Sequence, residues 1–327
     1  MGAVLQVLLI TFPFFALVLG GFLAARQGLL PLAAIPGLNS FVLYFALPAM
    51  LYRFGSTTPI AQLLDLSVFG VYLLCALVMV AFAIAITFNA RIRWNDASMG
   101  ALVAAFPNTG FMGVPLLAAL LGPHSVGPAI VLIVVDMVVT SSLCIALSRL
   151  DQGEGGAMAA ARKALSGVLR NPMPWAILLG AVVSALQLTL PEPVEKTAWL
   201  LADAASPVAL FTIGAVLARS QMQADHPMPL ADYVPVALMK LLLHPLLVLL
   251  VGSAAIQLGV PLDPFALTVM VLVAALPSAS NVSLLAERFG ADNGRIARII
   301  LVSTALAFLT FSAAVALMTA TTTGVTG

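Results

Sequence analysis

Apolar runs long enough to cross a bilayer follow one another along almost the entire chain, each ended by charge, glycine or proline. A spanning helix needs about 20 mostly apolar residues. Ten runs qualify: residues 3–25, 36–54, 67–90, 98–121, 125–148, 174–190, 198–218, 233–258, 264–288 and 294–320. The sixth is the shortest. With 62% of residues hydrophobic and 8% charged, against about 25% charged in a soluble domain, this chain could not keep a globular surface wet. The fold class is therefore all-α integral membrane. The N-terminal MGAVLQVLLITFPFF has no basic start and no small-residue cleavage site, so it reads as a first span rather than a signal peptide. Nor does it carry the Ser/Thr of a myristoylation motif.

Charge sets an orientation. With the N-terminus outside, the cytoplasmic loops hold Arg26, Arg91, Arg93, Arg149, Arg162, Lys163, Arg170, Arg219, Arg288, Arg295 and Arg298, eleven of the fourteen basic residues. Only Arg53 and Lys196 fall on the opposite side, and Lys240 lies inside a span. Basic residues concentrate on the cytoplasmic side of membrane proteins, so both termini are expected to face out. The small, polar stretch 149–173 reads as a cytoplasmic linker between a first half, 1–148, and a second, 174–327. A net charge of +1 points to neither a nucleic-acid partner nor a polybasic surface anchor.

Five spans on each side of the linker force the halves to insert with opposite topology, the inverted-repeat plan of many secondary transporters. The fourth span carries AAFPNTGFMGVPLLAALLG from Ala104, and the ninth carries AALPSASNVSLLAERFG from Ala274. Setting Pro107 on Pro277 aligns the fifth and tenth spans without a gap. Proline removes a backbone donor and clashes with the preceding turn, and Gly110, Gly113 and Pro115 weaken the fourth span further. Unwound backbone at membrane depth is tolerated only where protein buries it or a wet cavity meets it. Two breaks at corresponding places therefore point to a binding site at the bilayer midplane. A restarting helix presents free N–H groups and about half a positive charge, which suits an anion. Asn108, Thr109, Ser278, Ser280 and Asn281 would add hydrogen bonds. The alternative is a pair of proline kinks whose freed carbonyls are satisfied by Ser and Asn.

These residues carry a family likeness. Ala46-Leu47-Pro48-Ala49, PNTGFMGVPLL, SPVALFTIGAVLA (Ser206 to Ala218), KLLLHP (Lys240 to Pro245) and LPSASNVSLLAERFGAD together resemble the auxin efflux carrier family, in particular bacterial members labelled malonate or dicarboxylate transporters. The resemblance covers essentially the whole chain. It implies ten helices in two inverted five-helix repeats, similar to bile-acid symporters and sodium/proton antiporters. Spans one, two, six and seven would form a scaffold, and the other six a moving transport domain in which spans four and nine cross. It implies a substrate carboxylate held at Pro107, Asn108, Pro277 and Asn281, with Thr109, Gly110, Ser278 and Ser280 beside them. It also implies a homodimer through the scaffold and a bacterial inner-membrane location. The two asparagines stand at different offsets from their prolines, so the symmetry is imperfect. The long cytoplasmic loop of the long plant carriers is missing.

Three ionisable residues fall inside spans. Asp136 is central in span five, where an ionised carboxylate costs about 2.5–3.5 kcal/mol and calls for a partner, a proton or water. Lys240 and His244 stand four apart on span eight, hence on one face, and either is expected to reach Asp136. The related antiporter fold places an Asp and a Lys similarly. Asp136 is thus a candidate proton carrier with Lys240 or His244 as counter-charge. The plainer alternatives are a snorkelling Lys240, a core His244 and a structural Asp136. Asp263-Pro264 and Asn171-Pro172 read as helix caps, Asp203 as a carboxylate at the outer helix start of span seven, and Asn39 as a cap or scaffold hydrogen bond. Cys75 and Cys144 sit in apolar runs without metal spacing and read as free core residues. No catalytic, phosphate-loop or cofactor motif is present.

The sequence therefore favours a carrier of small organic anions, with malonate or other carboxylates as substrates, working by alternating access, with a proton as coupling ion. The competing reading is a sodium-coupled symporter of the same fold. An enzyme, a channel and a transport-silent receptor fit less well.

Overall fold

The computed structural model describes residues 2–58, 65–150, 172–222 and 228–323, together with Arg162, Ser166 and Leu169. Most of the expected linker 149–173 falls outside the described residues, and so does the cap expected at Asn171. The helices run α1 (Gly2–Arg26), α2 (Leu32–Thr57), α3 (Leu66–Thr87), α4 (Trp94–Ala105), α5 (Thr109–Leu121), α6 (Pro123–Leu147), α7 (Pro172–Ala185), α8 (Glu192–Met222), α9 (Val234–Gln257), α10 (Pro264–Ala274), α11 (Asn281–Arg288) and α12 (Asn293–Thr323). No strand occurs among the described residues.

Seven of these, α1, α2, α3, α6, α8, α9 and α12, are long and apolar enough to cross a membrane, while α5, α7 and α10 are shorter apolar helices. The fourth and ninth expected spans are each cut in two, as α4–α5 and α10–α11. With 14 residues, α7 reaches only about 21 Å at 1.5 Å per residue.

Helix starts follow the local chemistry. Asp65 caps α3, its carboxylate accepting from the amides of Ser67 and Val68 at 2.9 and 3.0 Å. Asp263 accepts from Phe265 N at 3.2 Å, with Pro264 at the first helical position, as the sequence suggests. Two expectations need correcting. Asp203 is not at a helix start, because α8 begins at Glu192; its carboxylate instead takes a 2.6 Å bond from Arg53. Asn39 caps nothing, because the helical run already begins at Leu32; it lines a cavity described below.

The helices sort into two packed groups. In one, α1 lies along α8, and α2 packs against α7 and α8. In the other, α3, α4, α6, α9, α10 and α12 pack on one another. The first group is held by close backbone approach. A Cβ on Gly21 would collide with the Phe211 carbonyl, and one on Gly214 with the Val18 carbonyl. Gly55 and Gly180 bring α2 and α7 together in the same way. Small residues that let backbones meet are the usual adhesive between membrane helices. We therefore expect Gly214→Ala to lower the thermal midpoint in detergent, at a cost of about 1–3 kcal/mol. Gly20→Ala is the matched control: its added methyl group meets nothing within 4 Å and should change nothing.

In the second group Arg295 ties three helix starts together. It is 2% exposed. Its Nε donates to Asp232 O at 2.7 Å and its Nη1 to Asp96 O at 2.9 Å, while its amide donates to Asp292 Oδ1 at 2.9 Å. The expected core cysteines, Cys75 and Cys144, are buried and free.

Candidate functional site

Each broken span leaves backbone groups that helix geometry cannot satisfy. After Ala105 the chain leaves the helix through Phe106, Pro107 and Asn108; after Ala274 it does so through residues 275–280. The two breaks satisfy each other. Asn108 N donates to Pro277 O at 2.8 Å, and Ala279 N donates to Phe106 O at 2.9 Å, an antiparallel bridge between Pro107 and Ser278. Ser278 N donates to Ser303 Oγ of α12 at 3.2 Å. Buried backbone polar groups need partners, and here two prolines, which donate nothing, lie at the point of crossing.

Beyond the bridge the chains restart as α5 and α11. Asn108 O accepts from Met112 N and Gly113 N at 3.1 and 3.0 Å. The amides of Gly110, Phe111, Ser280 and Asn281 find no acceptor among the described residues. Those four donors stand at two helix N-termini, where partial positive charge collects. The side-chain amide oxygens of Asn108 and Asn281, and the hydroxyl of Ser278, are buried without a partner. A Cβ on Gly110 would meet nothing closer than Leu47 Cδ2 at 3.9 Å, so the backbone is open to a ligand there.

Two cavities meet this crossover. The smaller, about 30 Å³, lies against Pro107, Asn108, Thr109, Gly110 and Asn281 and is closed by apolar residues including Leu47, Leu51 and Met137. The larger, about 810 Å³, is a vestibule between the two helix groups that reaches Ser280 and Asn281. Asn281 and Phe111 line both. The eight crossover residues read from the sequence thus come together. Pro277 and Ser278 take part through their backbones, the others through a cavity wall.

The buried charges are arranged differently from expectation. Asp136, Lys240 and His244 are each fully buried, so Lys240 does not snorkel. None of the three lines either cavity, and neither Lys240 nor His244 forms an ion pair with Asp136. Asp136 instead receives hydrogen bonds from Tyr72 Oη at 3.0 Å and Thr140 Oγ1 at 3.2 Å. Lys240 Nζ donates to Ala274 O at 2.5 Å and contacts His244 Nδ1 at 3.3 Å. The Tyr72 and His244 rings stand 6.1 Å apart between centroids. Lys240 therefore caps the C-terminal end of α10 immediately before the break, where a cation opposes the negative end of the helix.

Asp136 and Lys240 each sit in a π-helical turn, Val135–Thr140 and Met239–Leu243; α5 opens on another, Thr109–Gly113. Such bulges free carbonyls and recur at functional positions. Ser141 Oγ donates to one of them, Asp136 O, at 2.8 Å.

Tyr72, Thr140 and Ser303 were not singled out by the sequence. A tyrosine in the middle of an apolar span needs a partner for its hydroxyl, and that was the available signal for Tyr72. Ser303 had none, because its partner is a backbone amide exposed only by the break at Pro277.

Interrupted membrane helices that cross at a polar, cavity-connected point place the protein among multi-pass helical membrane transporters. A profile of the family described as "Membrane transport protein" matches residues 3–315. The chain belongs to this family, the auxin efflux carrier family that its motifs resemble. It is 31% identical over 307 residues, 91% of each chain, to a Rhizobium meliloti (strain 1021) protein named "Putative malonate transporter". It is 30% identical over 197 residues, 59% of each chain, to the uncharacterized transporter YfdV of Escherichia coli (strain K12). An uncharacterized transporter of Methanothermobacter thermautotrophicus is 25% identical over 297 residues, 90% of this chain and 92% of its own. The family and these names indicate a transporter rather than an enzyme.

Proposed function

We propose that this protein is a secondary carrier of small organic anions, such as malonate or related carboxylates, and that the crossover of Pro107–Gly110 with Pro277–Asn281 binds the carboxylate. The observation that carries this reading is the set of four unpartnered backbone amides beside the Asn108 and Asn281 side chains, which make no hydrogen bond among the described residues and can turn Nδ2 toward an anion, all reached from cavities. Such a cradle offers donors and positive helix ends without a fixed counter-ion, which suits an anion that must also leave. The malonate label of the Rhizobium meliloti relative points to the same substrate class.

In this reading the chain crosses an inner membrane ten times as two inverted five-helix repeats. Both termini lie outside, and the vestibule opens to the cytoplasm. The α1, α2, α7 and α8 group serves as scaffold, through which two copies dimerise. The other group carries the crossover past it, in an elevator-type alternation of access. Asp136 takes up and releases the coupling proton. In favour of the proton, the carboxylate is surrounded by Tyr72, Thr140 and the nearby Lys240 ammonium rather than by the six or so oxygens a bound metal cation favours.

Labelled malonate uptake into proteoliposomes tests the reading, under a proton gradient, a sodium gradient and neither. Proton-driven uptake is expected. Asp136→Asn should abolish the response to the proton gradient while retaining malonate exchange. Wild-type coupling in that variant would remove Asp136 from the proton path, and a sodium requirement would replace the proton as coupling ion.

A further inference from the structure

The vestibule is about 810 Å³, and among the residues that line it Arg219 is the one cation and Glu287 the one anion. They stand on opposite walls. Arg219 occupies the last turn of α8, in the α1–α2–α7–α8 group. Glu287 lies six residues after Asn281 on α11, about 9 Å further along the helix at 1.5 Å per residue. No carboxylate lies within 4 Å of the Arg219 guanidinium among the described residues, whereas Arg53 and Arg91 do have such partners. Arg219 is partly exposed, and the cavity it faces runs without interruption to Ser280 and Asn281. A guanidinium stays charged at any working pH. Walls of low dielectric focus its field into the space between them.

We propose that Arg219 is the charge-selecting residue of this carrier: it concentrates anions in the vestibule and favours dianionic over monoanionic carboxylates before they reach the crossover. This deepens the transport reading above and rests on it for the substrate. Selection follows from Coulomb's law, since attraction to a fixed cation doubles with the charge of the solute. If removing Arg219 weakens the local concentration of a monoanion about threefold, as for a unit charge some 6 Å away in water, a dianion loses about the square of that, roughly tenfold.

The first test needs no transport. Ser40 faces the vestibule, and the native cysteines are buried. In a Ser40→Cys protein, labelling rates are compared for a sulfonatoethyl and a trimethylammonioethyl methanethiosulfonate. Adding Arg219→Gln should slow the anionic reagent about threefold and speed the cationic one about threefold, moving their ratio about tenfold at low salt. Arg219→Lys should restore the ratio, and Glu287→Gln should move it the other way. An unchanged ratio would mean that the Arg219 charge does not act in the vestibule and would overturn the proposal.

The second test is uptake into inside-out vesicles, whose bath meets the cytoplasmic face. Arg219→Gln should raise KM about tenfold for malonate and about threefold for acetate, with kcat unchanged. Equal changes for the two substrates, or a loss of kcat instead, would overturn charge selection. A ratio that shifts as expected in a wild-type protein that moves neither substrate would uphold the field of Arg219 and count against the transport reading alone.

Discussion

Replacing Asn281 by alanine should cut malonate flux about 10- to 100-fold while leaving the thermal midpoint of the detergent-purified protein unchanged. The two halves of this expectation come from one fact: the Asn281 side-chain amide makes no hydrogen bond among the described residues, its Oδ1 being buried without a partner, so its Nδ2 is free to donate to a carboxylate. A hydrogen bond to a charged ligand is worth about 1.5–3 kcal/mol, and each 1.36 kcal/mol is about tenfold in rate. In the ligand-free protein the same amide makes no bond to lose, so its removal costs the fold nothing and relieves a desolvated polar group. A structural asparagine would behave in the opposite way, losing stability first. Asn281 also lines both the small cavity and the vestibule, so a substrate moving between them must pass it. Asn108→Ala should act similarly, and on the proposed reading, in which both amides serve one carboxylate, the double variant should lose less than the product of the single effects. Flux in proteoliposomes and a thermal melt on the same preparations decide the matter. Wild-type flux in Asn281→Ala would remove the crossover as the binding site.

The crossover was legible in the sequence because its signals are local. A proline inside an apolar run followed by small polar residues has few physical meanings at membrane depth, and Pro107 and Pro277 state it twice. The asparagine and serine side chains sit within a few residues of those prolines, so locating the break also located the candidate residues around it. What the sequence could not provide was pairing between distant segments. Asp136, Lys240 and His244 read as costly buried groups, and Thr140 and the Lys240–His244 contact are within helical reach, but the remaining partners lie on other helices: Tyr72 on α3 and the Ala274 carbonyl at the end of α10. Helical spacing orders residues along one helix and says nothing about which neighbour a face meets. The same limit explains Asp203 and Asn39. Both stand near the expected starts of their spans, yet the helices begin earlier, at Glu192 and at Leu32, because polar residues in the one case and a short Leu-Ala-Ala turn in the other extend them backward. Charge counting places Arg295 in a cytoplasmic loop, and its burial among three helix starts depends on a tertiary arrangement that charge counting does not see.

Lys240→Met is expected to be the most damaging single change in the transport group, and the reason lies in the break at Pro277. The α10 helix stops at Ala274 because the proline beyond it cannot continue the ladder, which strands carbonyls at membrane depth. Lys240 Nζ takes one of them, Ala274 O, at 2.5 Å. Methionine fills a similar volume but leaves that carbonyl orphaned, at about 1–3 kcal/mol. It also deprives the buried Asp136 carboxylate of its nearby cation, and leaving a buried charge uncompensated costs about 3–5 kcal/mol where the two are tightly paired. The two groups are not in contact, so a total near 3 kcal/mol is expected, seen as a clearly lowered thermal midpoint. Flux should fall with it, because the end of α10 fixes the position of Ser278 and hence of the crossover bridge. Adding Asp136→Asn to Lys240→Met should return part of the stability, about 1 kcal/mol or more. Asparagine removes the stranded charge, and its side-chain carbonyl still accepts from Tyr72. The rescue should not restore flux, since the Ala274 carbonyl remains without its cation. Equal midpoints for Lys240→Met and wild type would show that the capping bond carries no weight. A double variant no more stable than Lys240→Met would show that Asp136 and Lys240 do not share a field.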